Sequence, residues 1–532
     1  MTTPRQPGTP PPPPQTPPSP PSSVPPPPYG PYARLNPYGG GQPGPETPPP
    51  PPPPPPPSGR RRAKGVVAAV VAALLAVGGV TWYALGGGED RTDDRAKTGS
   101  TSPAPTAPST GPAVAPAPDA VDAARYNAGR APGDASVLWV RKNDIDVTTL
   151  NGDVFGPWLV GDTVVTAMYR TVTAHSAVDG TVKWRLTLDT EICRASQSAS
   201  ADGRIVLAVK SVLHAEMDEC RRLQMIDLRT GKKGWQQKIV KEGKFDFFFE
   251  YSIAISGDTV TAGRHGYSTA YRLSDGKQLF GRWEGSDCQP YAYAGGPKLV
   301  AAVSCPTPHQ DNPQEEIHEV DPVTGKSRWK YRLPMGYRVS HVYSVRPLVV
   351  SARKRLTGEY GVVVLNEDGT KRTSLKGQGQ YGDGCSDDVA HEGNLRRCKV
   401  VADDTTLYLA TAWTKDKGND IVAFDLDTGT EVRRIRGSAR HVTTPLRMEG
   451  GSLVVRIASM FGEPGSLATV APGTTKPVEI LRVPRSAARA EARFTDSPAL
   501  YADGRYILVR GVVVGSTDAE EREVQTLLAF GK

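Results

Sequence analysis

The chain has 532 residues, 51 of them proline and six cysteine, and a formal charge of +8. Its lysines and arginines are scattered apart from one cluster beside an apolar segment, which argues against a nucleic-acid surface. No protein-kinase signature, C-x-x-C or H-x-x-x-H spacing occurs, which argues against a kinase domain and a zinc site.

The N-terminal part is read as segments rather than as a domain. Of the 51 prolines, 29 fall in residues 1–58, and Pro48 to Pro57 is unbroken. Too few aliphatic residues remain there to offset the entropy of ordering, so 1–59 is expected to be a disordered tail with polyproline II bias. Its P-P-x-Y element at Pro26, Pro27 and Tyr29 has the form of a WW-domain ligand, but a passive tether is the expected role. Residues 60–64 hold Arg60, Arg61, Arg62 and Lys64. Then comes "GVVAAVVAALLAVGGVTWYAL", residues 65–85, without a charge. As a helix it would span about 31 Å, the thickness of a bilayer core. Basic residues before it and Glu89, Asp90, Asp93 and Asp94 after it predict a retained signal anchor, with the N-terminus cytoplasmic and the remainder extracytoplasmic. Residues 86–135 are rich in Gly, Ala, Pro, Ser and Thr and read as an external linker, with a short helix near 117–127.

Residues 136–532 are periodic. Turn glycines recur at Gly180, Gly231, Gly276, Gly325, Gly369, Gly429 and Gly473. In the best-kept copies an Asp precedes the glycine and a tryptophan follows four residues later: Asp179, Gly180, Trp184; Asp227, Gly231, Trp235; Asp321, Gly325, Trp329. Short alternating apolar runs flank each turn, which is the pattern of a β-hairpin. The Asp side chain can accept from backbone N–H groups as the turn starts, and glycine tolerates φ > 0. A second polar turn followed by a strand occurs eight times, against seven glycine hairpins. The final unit lacks one strand, and "SVLWVRKN" with Trp139 is a strand without a unit. Together they predict an all-β, eight-bladed propeller in which the Trp139 strand completes the C-terminal blade. The recurrent Trp or Phe then fills the seam between blades.

The D-x-x-T-G-K-x-x-W copies at Asp227–Trp235 and Asp321–Trp329 resemble the tryptophan-docking repeat of quinoprotein, or PQQ-like, β-propellers. That family includes periplasmic alcohol dehydrogenases, outer-membrane assembly lipoproteins and sensor ectodomains. The match weakens where Thr373, Arg433 and Pro477 stand in the docking position. The tail, basic stop and composition also resemble actinobacterial membrane proteins. A quinoprotein enzyme would need a calcium, an Asp base and, in this family, adjacent cysteines against the cofactor; no adjacent cysteines occur, so no PQQ is expected.

Other candidate sites are thin. Gly377, Gly379 and Gly382 form G-x-G-x-x-G without a following helical period, so a loop is expected rather than a dinucleotide site. Asp383, Asp387 and Asp388 match no calcium-loop spacing. The histidines are dispersed. The six cysteines allow fifteen pairings, of which nearest neighbours are favoured: Cys193–Cys220, Cys288–Cys305 and Cys385–Cys398. The functional expectation is a membrane-anchored binding or scaffolding module for an envelope protein or glycan, with no catalytic residues assigned. A channel-site enzyme and a sensor relaying occupancy to the tail are the rival readings.

Overall fold

The computed structural model describes residues 120–532 except 148–150, 214–219, 249–250, 265, 309–311, 377–384, 386–394 and 396–397. The proline-rich tail, the basic stop, the apolar span 65–85 and the linker up to residue 119 lie outside the described residues. So do Gly377, Gly379, Gly382, Asp383, Asp387 and Asp388. Among the described residues no helix is long and apolar enough to cross a membrane.

Eight antiparallel sheets follow one another along the chain as the blades of a propeller. Blades 1 to 7 occupy 151–187, 192–238, 251–280, 289–332, 337–374, 401–435 and 443–482. Blade 8 takes three strands from 499–531 and a fourth from Ser136–Lys142. That fourth strand lies antiparallel to Gln525–Gly531, with Trp139 opposite Ala529. Blade 1 gains a fifth strand, because Val512–Val514 pairs with Asn151–Asp153 at its inner edge.

The strands of each blade alternate in direction, and this sorts the connections. Links between strands one and two, and between three and four, emerge at one end. These are mostly tight, such as Gly161–Asp162, Gly257–Asp258 and the Asp-to-Gly turns. Links between strands two and three, and from each blade to the next, emerge at the opposite end. The longer of these connections follow Val209, Lys238, Phe280, Ser374, Arg482 and Val509.

The tight turns lock the seams between blades. Asp321 Oδ1 accepts from the backbone N–H of Val323 and of Thr324, at 3.1 and 2.9 Å. Arg328 and these bonds hold its carboxyl well below the usual carboxylate range. Asp227 accepts likewise from Arg229 and Thr230. Five of the turn glycines then seat the ring of the preceding blade: Trp139 on Gly180, Trp184 on Gly231, Trp235 on Gly276, Phe280 on Gly325 and Trp329 on Gly369. The indoles of Trp139 and Trp235 also donate to the carbonyls of Ala177 and Leu273, at 3.3 and 2.8 Å. Later seams differ, as the weakened repeat foretells. Gly429 faces the backbone of Ser374 and the hydroxyl of Thr373, while nothing lies within 4 Å of where a Cβ on Gly473 would sit.

The turn glycine therefore has two reasons to be glycine. Gly231 has φ +69°, and an added Cβ would stand 2.5 Å from Trp184. Gly231→Ala is expected to cost about 2–4 kcal/mol, strain and clash combined. Gly257→Ala is the control, with φ +57° and nothing within 4 Å, and should cost only about 1–2 kcal/mol. Urea-unfolding midpoints of the two variants check the difference.

The linker assignment up to residue 135 needs one correction. Helix α1, Ala120–Ala128, is packed structure rather than spacer. Tyr126 is buried in a cluster with Val137, Val140, Leu481 and Phe494. Asn127 brackets Val137 with two hydrogen bonds, at 2.8 and 2.9 Å. Burial of one aromatic side chain is enough to recruit a short, Ala-rich helix that would be marginal alone.

Candidate functional site

The long-loop end is where this propeller departs from a plain repeat, and its loops are pinned. All three disulfides lie there: Cys193–Cys220, Cys288–Cys305 and Cys385–Cys398. Buried ion pairs do the rest. Asp246, in the segment between blades 2 and 3, accepts from Arg264 at 2.6 and 3.2 Å, and neither side chain is exposed. The Arg264 guanidinium also lies over the Phe248 ring. Glu315 meets Arg355 at 2.6 Å and the Tyr291 hydroxyl at 2.9 Å, joining blade 4 to the turn in blade 5. Burial pushes its carboxyl above the ordinary range.

The third pair fixes the insertion between blades 7 and 8. This insertion contains a 3-10 turn, Arg485–Ala487, and helix α2, Ala488–Ala492. Arg456 donates to Glu491 at 2.8 Å and to the carbonyls of Phe494, Thr495 and Ser497. Tyr506 donates to the same carboxylate at 2.9 Å. A buried guanidinium is tolerable here because a carboxylate and a ring of carbonyls replace its water.

On these fixed loops sit exposed large apolar side chains. They are Leu213, Phe245, Met335, Leu356, Trp413 and Phe461, of which Leu356 is 97 % and Phe461 60 % exposed. At the tight-turn end the comparable exposed residues are Leu159, 36 % exposed, and the smaller Val178, Val323 and Val478. Met335 and Leu356 are brought together by a hydrogen bond from Arg355 N to Gly336 O, 2.9 Å long. The Trp413 indole donates to His441 O at 3.1 Å, which fixes its ring at the surface. Phe461 is the most telling. It has φ +52° and is followed by Gly462 at φ +81°, in a turn closed by Met460 and Glu463. Asn or Gly suits that first position; a phenylalanine there costs about 1–2 kcal/mol and gains no burial in return. Strain combined with exposure marks a side chain kept for contact rather than for the core.

The predicted cysteines lie at this end, whereas the sequence-predicted repeat residues fall elsewhere. Asp179, Gly180, Trp184, Asp227, Gly231, Trp235, Asp321, Gly325, Trp329 and Trp139 all belong to the seams and tight turns. Phe461, Arg489 and Arg493 stand outside the repeat and carry no motif. Their only signals were an aromatic before glycine in "SMFGEPG" and arginines four apart in "SAARAEAR".

Among the described residues the cysteines and most buried carboxylates already have partners. The cysteines are joined across 27, 17 and 13 residues, so none forms a face of adjacent sulfurs. Five of the buried carboxylates, Asp246, Glu315, Glu316, Glu319 and Glu491, are each matched by arginine or lysine. One serine–histidine–acid series does occur on the outer strands of blade 4. Ser327 Oγ lies 2.9 Å from His318 Nδ1, and His318 Nε2 lies 2.9 Å from Glu316. The order is that of acyl-transfer triads. However, the hydroxyl also lies 3.0 Å from Trp329 O, and Arg332 and Lys330 grip the carboxylate. The series is thus a polar tie between neighbouring strands.

The family profile described as outer membrane protein assembly factor BamB matches residues 126–286. Among solved structures, BamB from Moraxella catarrhalis is similar, at 13% identity and TM-score 0.42, over 73% of this chain and 100% of that one. A quinohemoprotein alcohol dehydrogenase from Pseudomonas putida gives 12% identity and TM-score 0.41, over 78% and 83%. A eukaryotic initiation factor gives 10% and 0.44, over 74% and 88%. No curated protein matches the sequence. The chain forms an eight-bladed β-propeller, and residues 126–286 of it match that family profile.

Proposed function

We propose that this propeller is a binding or scaffolding module that docks a protein partner on its long-loop end. In this reading it is held at the cell envelope by residues 65–85, with its N-terminus cytoplasmic and the propeller extracytoplasmic. It works by binding rather than by catalysis. The observation that carries the reading is the set of exposed apolar side chains at one end of the ring, on loops tied down by hydrogen bonds and a buried ion pair. Loops fixed in advance lose little entropy on association. Large aromatic and aliphatic anchors are the residue types that dominate protein interfaces. Leu356 and Met335 favour a protein over a glycan, because aliphatic tips offer no stacking face to sugars.

Replacing Leu356, Trp413 and Phe461 together by serine tests this. None is part of the core, so the melting temperature is expected to stay within a few degrees. Recovery of the in-cell cross-linked partner is expected to fall about tenfold or more. Val323→Ser, at the opposite end, is expected to change nothing. Unchanged recovery in the triple variant would reject the assignment.

A further inference from the structure

A cleft of about 460 Å³ opens at the long-loop end beside blade 8. Its walls come from α1, α2 and helix α3, Asp518–Glu523, with Arg125, Tyr126, Lys142, Arg489 and Arg493 among the lining residues. Arg489 and Arg493 are four residues apart on and just beyond α2, so they share one face. Among the described residues neither guanidinium has a hydrogen-bond or ion-pair partner.

The acids of the cleft are already engaged. Asp122 is met by Arg125 at 2.6 Å and by the Gln525 amide at 2.9 Å, and Glu523 by Lys142 at 2.8 Å. The charge surplus is therefore carried by Arg489 and Arg493. The Tyr126 hydroxyl accepts from Arg125 and Gln525, which leaves its own proton to donate. Behind the cleft, the buried Glu491–Arg456 pair holds α2 in place, so the two arginines project from a fixed backbone. A further guanidinium, Arg510, binds the backbone carbonyl of Arg493 and adds to the positive field.

We propose that this cleft is a binding site for a small ligand bearing an oxyanion, a phosphate monoester or a carboxylate, gripped by Arg489 and Arg493 with Tyr126 donating alongside. The planar fork of arginine matches both groups in bidentate geometry. The site is separate from the apolar tips and stands whether or not they dock a protein.

Isothermal titration of the full-length chain with inorganic phosphate, glucose 6-phosphate and glutarate tests it. At least one probe is expected to bind saturably at one site per chain, more weakly as salt rises. The Arg489→Gln/Arg493→Gln double variant is expected to weaken that binding about tenfold or more. Tyr126→Phe keeps the ring that packs in the core and is expected to weaken it about threefold to tenfold. Phosphate-only binding assigns the ligand to phosphate esters, and glutarate-only binding assigns it to carboxylates. No saturable binding by any probe, or unchanged affinity in both variants, would overturn the proposal.

Discussion

Replacing Glu491 by alanine is expected to destabilise the propeller by about 3–5 kcal/mol, more than any exposed substitution. Glu491 is fully buried and Arg456 nearly so. Truncation leaves the guanidinium with carbonyl acceptors but no counter-charge, in a site that water cannot enter. The Tyr506 hydroxyl and Ser459 N–H lose the same acceptor. The cost should come from the stranded charge rather than from any large intrinsic worth of the pair. Glu491→Ala combined with Arg456→Met is therefore expected to be markedly more stable than Glu491→Ala alone. Urea unfolding followed by tryptophan fluorescence measures both. A single-variant loss below about 1 kcal/mol would show that the insertion between blades 7 and 8 is not held in this way.

The second large effect concerns acid. His175 is buried in blade 1, between Val164 and Val182 on the neighbouring strands. Burial, with Arg141 and Arg185 nearby, pulls its pKa down to about 3. Its Nδ1 has no hydrogen-bond partner among the described residues. The folded state therefore refuses a proton that the unfolded chain accepts below about pH 6.5. Stability is full above pH 6.5 and is lost as pH falls through the window toward 3. At pH 5 the loss is about 2 kcal/mol, from one and a half pH units at roughly 1.36 kcal/mol each. His175→Leu removes the titration. It is expected to flatten the decline in urea midpoint between pH 7 and pH 5 relative to the unaltered chain. Equal declines in the two proteins would place the acid sensitivity elsewhere.

The ring of blades was legible because its physics is local and repeated. A turn needing φ > 0 and a ring four residues later recur together, so Gly231 with Trp235 and Gly325 with Trp329 stand out at once. The repeat also signalled its own lapse, since Thr373 replaces an aromatic and the seam at Gly429 is made by backbone. The disulfides at the long-loop end were legible as nearest-neighbour cysteines, but the buried ion pairs there have no such signature. Arg456 finds Glu491 across 35 residues and Arg264 finds Asp246 across 18, with neither spacing repeated. Helix α1 reads as spacer because its composition is that of the linker before it; only the pocket that takes Tyr126 makes it structure. The candidate surface was illegible for the same reason, because an apolar residue in a loop looks alike in sequence whether it is buried or displayed. Phe461 is distinguished by its backbone angle and its exposure, and both are tertiary facts.

The most direct measurement is photo-cross-linking in intact source cells from single sites on the full-length chain. A benzophenone side chain would be placed in turn at Leu356, Phe461, Val178 and Val323. Leu356 and Phe461 are expected to give a common protein adduct that Val178 and Val323 do not. Adducts confined to Val178 and Val323, or equal from all four positions, would contradict docking at the long-loop end.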